Sequence, residues 1–175
     1  MLIDVNSSTT HLPDYVLDPS PLALFTRLQR VGLHLERLQA EAMEDIGMSF
    51  PDYTLLATLH RETAPHQLPV SRLAELVLRP MGSITQVVDR LEKTGLVRRA
   101  VDPADRRRVL VELTDAGIDL AVSGDHAYRI CRQRVLDALP DPDLERIDGA
   151  LLELLVALES DQVAADPDST LAEPA

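Results

Sequence analysis

Apolar residues in this chain recur mostly at helical spacing. Leu24, Leu28, Val31, Leu35, Leu38 and Ala42 step by three and four residues, which predicts one long amphipathic helix over about 21–46. Pro21 suits its first turn and Ser20 its N-cap. Gly32 interrupts the stripe at a cost of about 1 kcal/mol relative to Ala, and Gly47 ends it. Ser49 is the N-cap of the next helix, with Asp52 three residues on as an acidic variant of the capping box; Leu55, Leu56 and Leu59 form its buried face. Residues 63–67 read as a loop, 71–77 as a short helix, and Leu78-Arg79-Pro80 as a turn. Ile84, Val87, Val88 and Leu91 then mark a further helix stripe, closed by Gly95 at its C-cap.

The period changes after Gly95. Leu96-Val97 and Val109-Leu110-Val111 predict two short strands, joined by a turn built from Asp102, Pro103 and Asp105. Helical spacing then resumes. Thr114 is an N-cap, followed by Asp115 near the positive end of the helix dipole. Ile118, Ala121, Val122, Ala127, Ile130, Val135 and Leu139 make a broken stripe, weakened at Gly124 and stopped by Pro140. Asp141-Pro142 then reads as the N-cap and first residue of a last helix, with Leu144, Ile147, Leu151, Leu154 and Leu158 on one face. No internal repeat is present.

The expected fold is mainly α. A winged helix-turn-helix with a small β-hairpin wing occupies 49–114, flanked by terminal helices over 21–48 and 115–160 whose long stripes need a partner surface. Residues 1–20 read as an extended N-terminal arm. The Asp-, Pro- and Ala-rich residues 161–175 read as a disordered tail.

Charge sharpens this picture. The chain carries −12, yet residues 79–108 hold eight Lys/Arg against four Asp/Glu, a local balance of +4 that leaves −16 elsewhere. One basic island on an acidic protein suits a single face for a phosphate backbone, the remainder repelling nucleic acid. A solvated arginine turn is the plainer reading of the same run. The 175 residues, 45% hydrophobic, suffice for a core, but aromatics are only 3% and Trp is absent, so Leu, Val, Ile and Ala must fill it. A single Cys excludes an internal disulfide, and Cys131 reads as a small buried hydrophobe. The opening Met1-Leu2-Ile3-Asp4-Val5-Asn6 lacks a signal-peptide h-region and no apolar run approaches a membrane span, which predicts a cytoplasmic protein with no membrane partner. Nothing predicts an enzyme or a cofactor: there is no Gly-rich phosphate loop, no His-Glu-x-x-His and no Cys pair. His60 and His66 are poorly spaced for zinc, so no metal site is expected.

Three blocks carry a resemblance. Val88-Asp89-Arg90-Leu91-Glu92-Lys93-Thr94-Gly95-Leu96-Val97, then Asp102-Pro103-Ala104-Asp105-Arg106-Arg107, then Leu113-Thr114-Asp115-Ala116-Gly117 resemble, in order and spacing, the signature of the MarR (multiple antibiotic resistance regulator) family. The resemblance extends more weakly over about 21–160. It implies a homodimeric transcriptional regulator, most simply a repressor, in which the terminal helices over 21–48 and 115–160 interlock as a dimerisation domain and hold two reading heads on the half-sites of a palindromic double-stranded operator. The chain departs from the commoner pattern at Leu78 and Pro80, where the family often has a Gly and a Ser, Thr or Asp cap.

The helix stripe and the resemblance together select candidate DNA contacts. Ser83, Thr85 and Gln86 lie away from the apolar stripe and are able to reach base edges. Arg90 is placed for phosphate or for an ion pair with a neighbouring carboxylate. Asp105 and Arg107 match the family's Asp-x-Arg pair, which implies that Arg107 enters the minor groove while Asp105 orients it. Arg106 and Arg108 alternate away from Arg107 and serve phosphate contact or plain solvation. The resemblance also implies a small, anionic aromatic effector between the dimerisation helices and the winged domain. Tyr53 and His60, two turns apart on one helix side, and His34 on the first helix are its candidate contacts. Tyr53 as ordinary core with solvated histidines is the other reading. The competing function is a winged-helix protein-interaction scaffold that binds no DNA.

Overall fold

The computed structural model describes residues 12–103, 105 and 108–165. The chain divides into two compact units, 1–131 and 132–175. The first contains helices α1 (Asp14–Leu17), α2 (Ala23–Glu44), α3 (Phe50–Arg61), α4 (Val70–Leu76) and α5 (Met81–Lys93), and strands β1 (Gln67–Pro69), β2 (Val97–Val101) and β3 (Val109–Leu113). Helix α6 (Asp115–Leu136) runs across the boundary, and α7 (Asp141–Ala165) lies in the second unit. Among the described residues no helix is long and apolar enough to cross a membrane.

The expected caps explain where the winged domain begins and ends. The Ser49 hydroxyl accepts from the Asp52 N–H at 3.3 Å, and Pro51 stands in the first turn of α3. The Thr114 hydroxyl accepts from the Gly117 N–H (3.1 Å) and donates to the Gly95 carbonyl (2.8 Å), so one side chain both caps α6 and fastens it to the end of α5. Gly95 adopts φ +75, which glycine tolerates without steric cost.

The core of this unit joins Leu55, Leu56 and Leu59 of α3 to Leu73 of α4, to Ile84, Val87, Val88 and Leu91 of α5, and to Val97, Val111 and Leu113 of the sheet. Burying each such side chain contributes roughly 1.5–3 kcal/mol. This packing therefore fixes the rotation of α5 about its axis. A second cluster sets Tyr53 against Ala42, Met43, Ala57 and Cys131; Cys131 is buried, as its sequence setting suggested. Gly124 is required there, because a Cβ would stand 2.4 Å from the Tyr53 ring.

Several boundaries differ from expectation. The N-terminal segment is not wholly extended. Asp14–Leu17 form one helical turn, held by the Arg27 side chain, which donates to the carbonyls of Val16 (2.9 Å) and Asp18 (2.5 Å). Helix α2 starts at Ala23, two residues late, because Ser20 closes the preceding turn by accepting from Leu22 N–H at its hydroxyl and Ala23 N–H at its carbonyl. Gln67, expected in a loop, begins β1; the sheet is antiparallel with order β1-β3-β2, and Gln67, Leu68 and Pro69 oppose Glu112, Val111 and Leu110. Three residues are too few to show alternation, and backbone pairing with β3 decides their conformation. The β2–β3 hairpin forms the expected wing, with Val97 opposite Leu113 and Val101 opposite Val109.

In the second unit α7 begins at Asp141 itself. The Pro140 carbonyl accepts from Asp143 and Leu144 N–H, so Asp141 is inside the helix and not its N-cap. The helix continues to Ala165, five residues into the segment expected to be disordered. The rest of that segment, 166–175, and the first eleven residues of the expected arm lie outside the described residues.

Candidate nucleic-acid interface

Helix α5 starts without a side-chain cap. The Pro80 carbonyl accepts from Ser83 and Ile84 N–H instead, at 3.0 and 3.2 Å. With Ile84, Val87, Val88 and Leu91 buried, the opposite side of α5 faces solvent. Ser83, Thr85 and Gln86 are all exposed on it, as the stripe requires. The Thr85 hydroxyl donates to the Met81 carbonyl at 3.0 Å, which leaves its oxygen lone pairs to accept from an outside donor. Gln86 offers both a donor and an acceptor, the combination that reads adenine.

Arg90 occupies the second of its two expected positions. Its guanidinium grips the Asp52 carboxylate of α3, Nε donating to both oxygens (3.0 and 3.1 Å) and an Nη also bonded. Asp52 is nearly buried while Arg90 remains half exposed. The hydrogen bond to Asp52 raises the Arg90 pKa above its ordinary value, against the opposing effect of burial. Arg99 on β2 clamps α5 from the other side. It donates to Asp89 (2.5 Å) and to Glu92, whose carboxylate also accepts the Arg99 backbone N–H at 3.2 Å. The Asp89 hydrogen bond is the main reason that its pKa rises. Arg98 pairs with Glu112 across the β2–β3 ladder at 2.6 Å.

These partners change the charge reading. Asp52 and Glu112 lie outside the 79–108 stretch in sequence but inside it in space, which lowers its local balance from +4 to +2. Arg79, Lys93 and Arg108 are exposed and form no ion pair among the described residues. The wing tip is closed by Asp102 N–H to the Arg108 carbonyl (3.1 Å) and Arg108 N–H to the Asp105 carbonyl (2.9 Å). Asp105 and Arg108 both face solvent there; Arg106 and Arg107 lie outside the described residues. Sequence reasoning missed Asp52 as an Arg90 partner and the Asp89–Glu92–Arg99 clamp. The i, i+3 spacing of Asp89 and Glu92 was a signal for a shared cation, but nothing local named Arg99.

The three candidate effector contacts have different surroundings. Tyr53 is buried at 3% exposure, its ring against Phe50 and Tyr128 and its hydroxyl donating to Asp125 at 2.6 Å. His60 stacks on His66 with ring centroids 5.4 Å apart, and the Glu62 carbonyl lies 2.7 Å from His66 Nδ1. No group of three or more His, Cys, Asp or Glu suited to a metal occurs among the described residues. His34 lines a cavity of about 550 Å³ between α1 and α2. Its walls are Leu12, Val16, Leu17 and Val31 with Arg27, Arg30 and His34, and the buried Arg30 Nε lacks a hydrogen-bond partner there.

Residues 46–108 match a family model described as MarR family. The chain is 33% identical over 104 residues to the HTH-type transcriptional regulator PecS of Dickeya dadantii, covering 59% of this chain and 63% of PecS, so it spans less than two thirds of that relative. It is 28% identical over 126 residues to the HTH-type transcriptional regulator MhqR of Bacillus subtilis, covering 71% of this chain and 83% of MhqR. Among solved structures it is similar to AbsC, a MarR family transcriptional regulator of Streptomyces coelicolor, with a TM-score of 0.72 and 25% identity over 87% of this chain and 99% of AbsC. Residues 46–108, which contain α5 and β2, thus match the MarR family model, and over most of its length the chain is similar to a protein named as a MarR family transcriptional regulator.

Proposed function

We propose that the protein is a homodimeric, sequence-specific DNA-binding transcriptional regulator, a repressor that a small molecule releases from a palindromic operator. The observation that carries this reading is the exposed Ser83, Thr85 and Gln86 on a helix whose rotation is fixed by a buried stripe and by arginine clamps on two sides. A rigid polar edge of that kind suits base reading in the major groove. Arg79, Lys93 and Arg108 supply phosphate contacts around it, and Arg107 is assigned the minor groove from the family pattern.

Dimerisation is supported by apolar residues that the single chain leaves in solvent. Leu24, Phe25 and Val31 of α2 and Leu151, Leu155 and Leu158 of α7 are all more than 40% exposed. Apolar faces of this extent mark association surfaces. For the effector, the cavity beside His34 is the better site than the buried Tyr53. Its apolar walls and unpartnered Arg30 Nε suit a small acid. Such a molecule acts only through its differential affinity for the DNA-binding and non-binding states.

A gel-shift assay on DNA upstream of the protein's own gene tests the function. Sequence-specific retardation is expected, and Arg107→Ala should weaken it strongly with the far-UV circular dichroism unchanged. Absence of specific retardation across promoters would favour the protein-interaction scaffold.

A further inference from the structure

The turn that delivers α5 carries an unusual residue. Helix α4 ends with Leu78 N–H bonded to the Glu75 carbonyl (3.2 Å) and Arg79 N–H to the Ala74 carbonyl (3.1 Å). This is the Schellman pattern, whose left-handed position favours glycine. Here Leu78 fills it at φ +51. A left-handed backbone costs an L-residue about 1–2 kcal/mol. Packing returns nothing, because Leu78 is 78% exposed. Met81, the first residue of α5, is 47% exposed. Two large apolar side chains thus stand in water within four residues, one of them at a backbone cost. Leu78 gains no burial from its own chain, and about half of the Met81 surface stays open.

Their position indicates what they serve. Met81 lies one turn ahead of Thr85 on the same edge of α5, so the apolar surface continues directly into the candidate base-reading set. Between them in sequence stands Arg79, exposed and without an ion-pair partner among the described residues. An apolar contact beside an unpaired cation matches duplex DNA, where the thymine C5-methyl is the apolar group in the major groove and phosphates line its edge. A protein partner is the weaker match, since two side chains fall well short of a stable protein interface.

We propose that Leu78 and Met81 read thymine through its C5-methyl group, adding apolar specificity to the polar reading by Ser83, Thr85 and Gln86. This rests on the DNA-binding function proposed above. The test begins with selection of the preferred duplex from a random pool by the full chain. Each thymidine is then replaced singly by deoxyuridine, which removes only the methyl, and affinity is measured by fluorescence anisotropy. At one or more thymines per half-site, wild type should lose about fourfold per methyl. Leu78→Gly or Met81→Ala should bind the thymine and uracil versions of its site equally. Leu78→Gly should also melt at or above wild type, since glycine accepts the left-handed backbone, which separates a lost contact from a lost fold. Specific binding that is equally tight on every deoxyuridine-substituted site overturns the inference alone. So does a methyl effect that persists in both variants. Failure to select any DNA overturns the DNA-binding reading as well.

Discussion

Whether Arg90 touches DNA or holds the recognition helix is decidable, because the two roles differ in what they cost. Arg90→Ala leaves the Asp52 carboxylate, whose side chain is only 10% exposed, without its cation. Hydrogen bonds to charged groups contribute about 1.5–3 kcal/mol each when buried. Arg90 is 51% exposed, so water replaces part of what is lost and the upper end is discounted. The expected destabilisation is about 1.5–2 kcal/mol, a fall in Tm of roughly 3–8 °C for a chain of this size. Asp52→Ala should cost less, about 1 kcal/mol, because the freed guanidinium reaches solvent. The double variant should resemble Asp52→Ala, giving a coupling energy of roughly 1.5–2 kcal/mol in magnitude. DNA binding supplies the opposing measurement. A phosphate contact contributes about 0.9 to the slope of log affinity against log salt. Held by Asp52, Arg90 contributes nothing to that slope, and Arg90→Ala should leave it unchanged within error; Asp52→Ala should steepen it by up to about 0.9 as the arginine is released. Urea melts of the four proteins at one protein concentration, with salt titrations of operator binding, complete the cycle. A slope that falls by about 0.9 in Arg90→Ala, with unchanged stability, would refute the structural role and restore Arg90 as a phosphate contact.

Gly117→Ala should destabilise by more than about 3 kcal/mol, because a Cβ there stands 2.1 Å from the Leu96 carbonyl oxygen, while Gly149→Ala, with open space around it, should raise stability by about 0.5–1 kcal/mol; thermal melts in which both move the same way contradict the packing at the start of α6. Cutting the chain before Asp141 removes the exposed apolar residues of α7 and should abolish the dimer, which a stable dimer of the truncated protein in analytical ultracentrifugation would disprove. In a thermal-shift series with salicylate and benzoate, wild type should be stabilised according to ligand concentration over Kd and Arg30→Ala should not. Equal shifts in the two proteins place the effector outside the His34 cavity.

What the sequence by itself determined is local. Helices α2 to α7 follow from stripes at helical spacing, and the Ser49 and Thr114 caps and the Gly95 stop follow from side chains that bond or bend backbone within three residues of themselves. The exposed side of α5 was legible for the same reason: once Ile84, Val87, Val88 and Leu91 are buried, helix geometry leaves Ser83, Thr85 and Gln86 outside. The tertiary structure decided whatever depends on distance along the chain. Arg90 meets Asp52 across 38 positions and Tyr53 meets Asp125 across 72, and no local pattern distinguishes those partners from any other carboxylate. Tyr53 is therefore core where its spacing to His60 had suggested a pocket. The same holds for β1, three residues whose strand character comes from the free edge of β3. Charge counted along the sequence overstated the basic island, because electrostatic interaction acts through space and folding carried Asp52 and Glu112 into it.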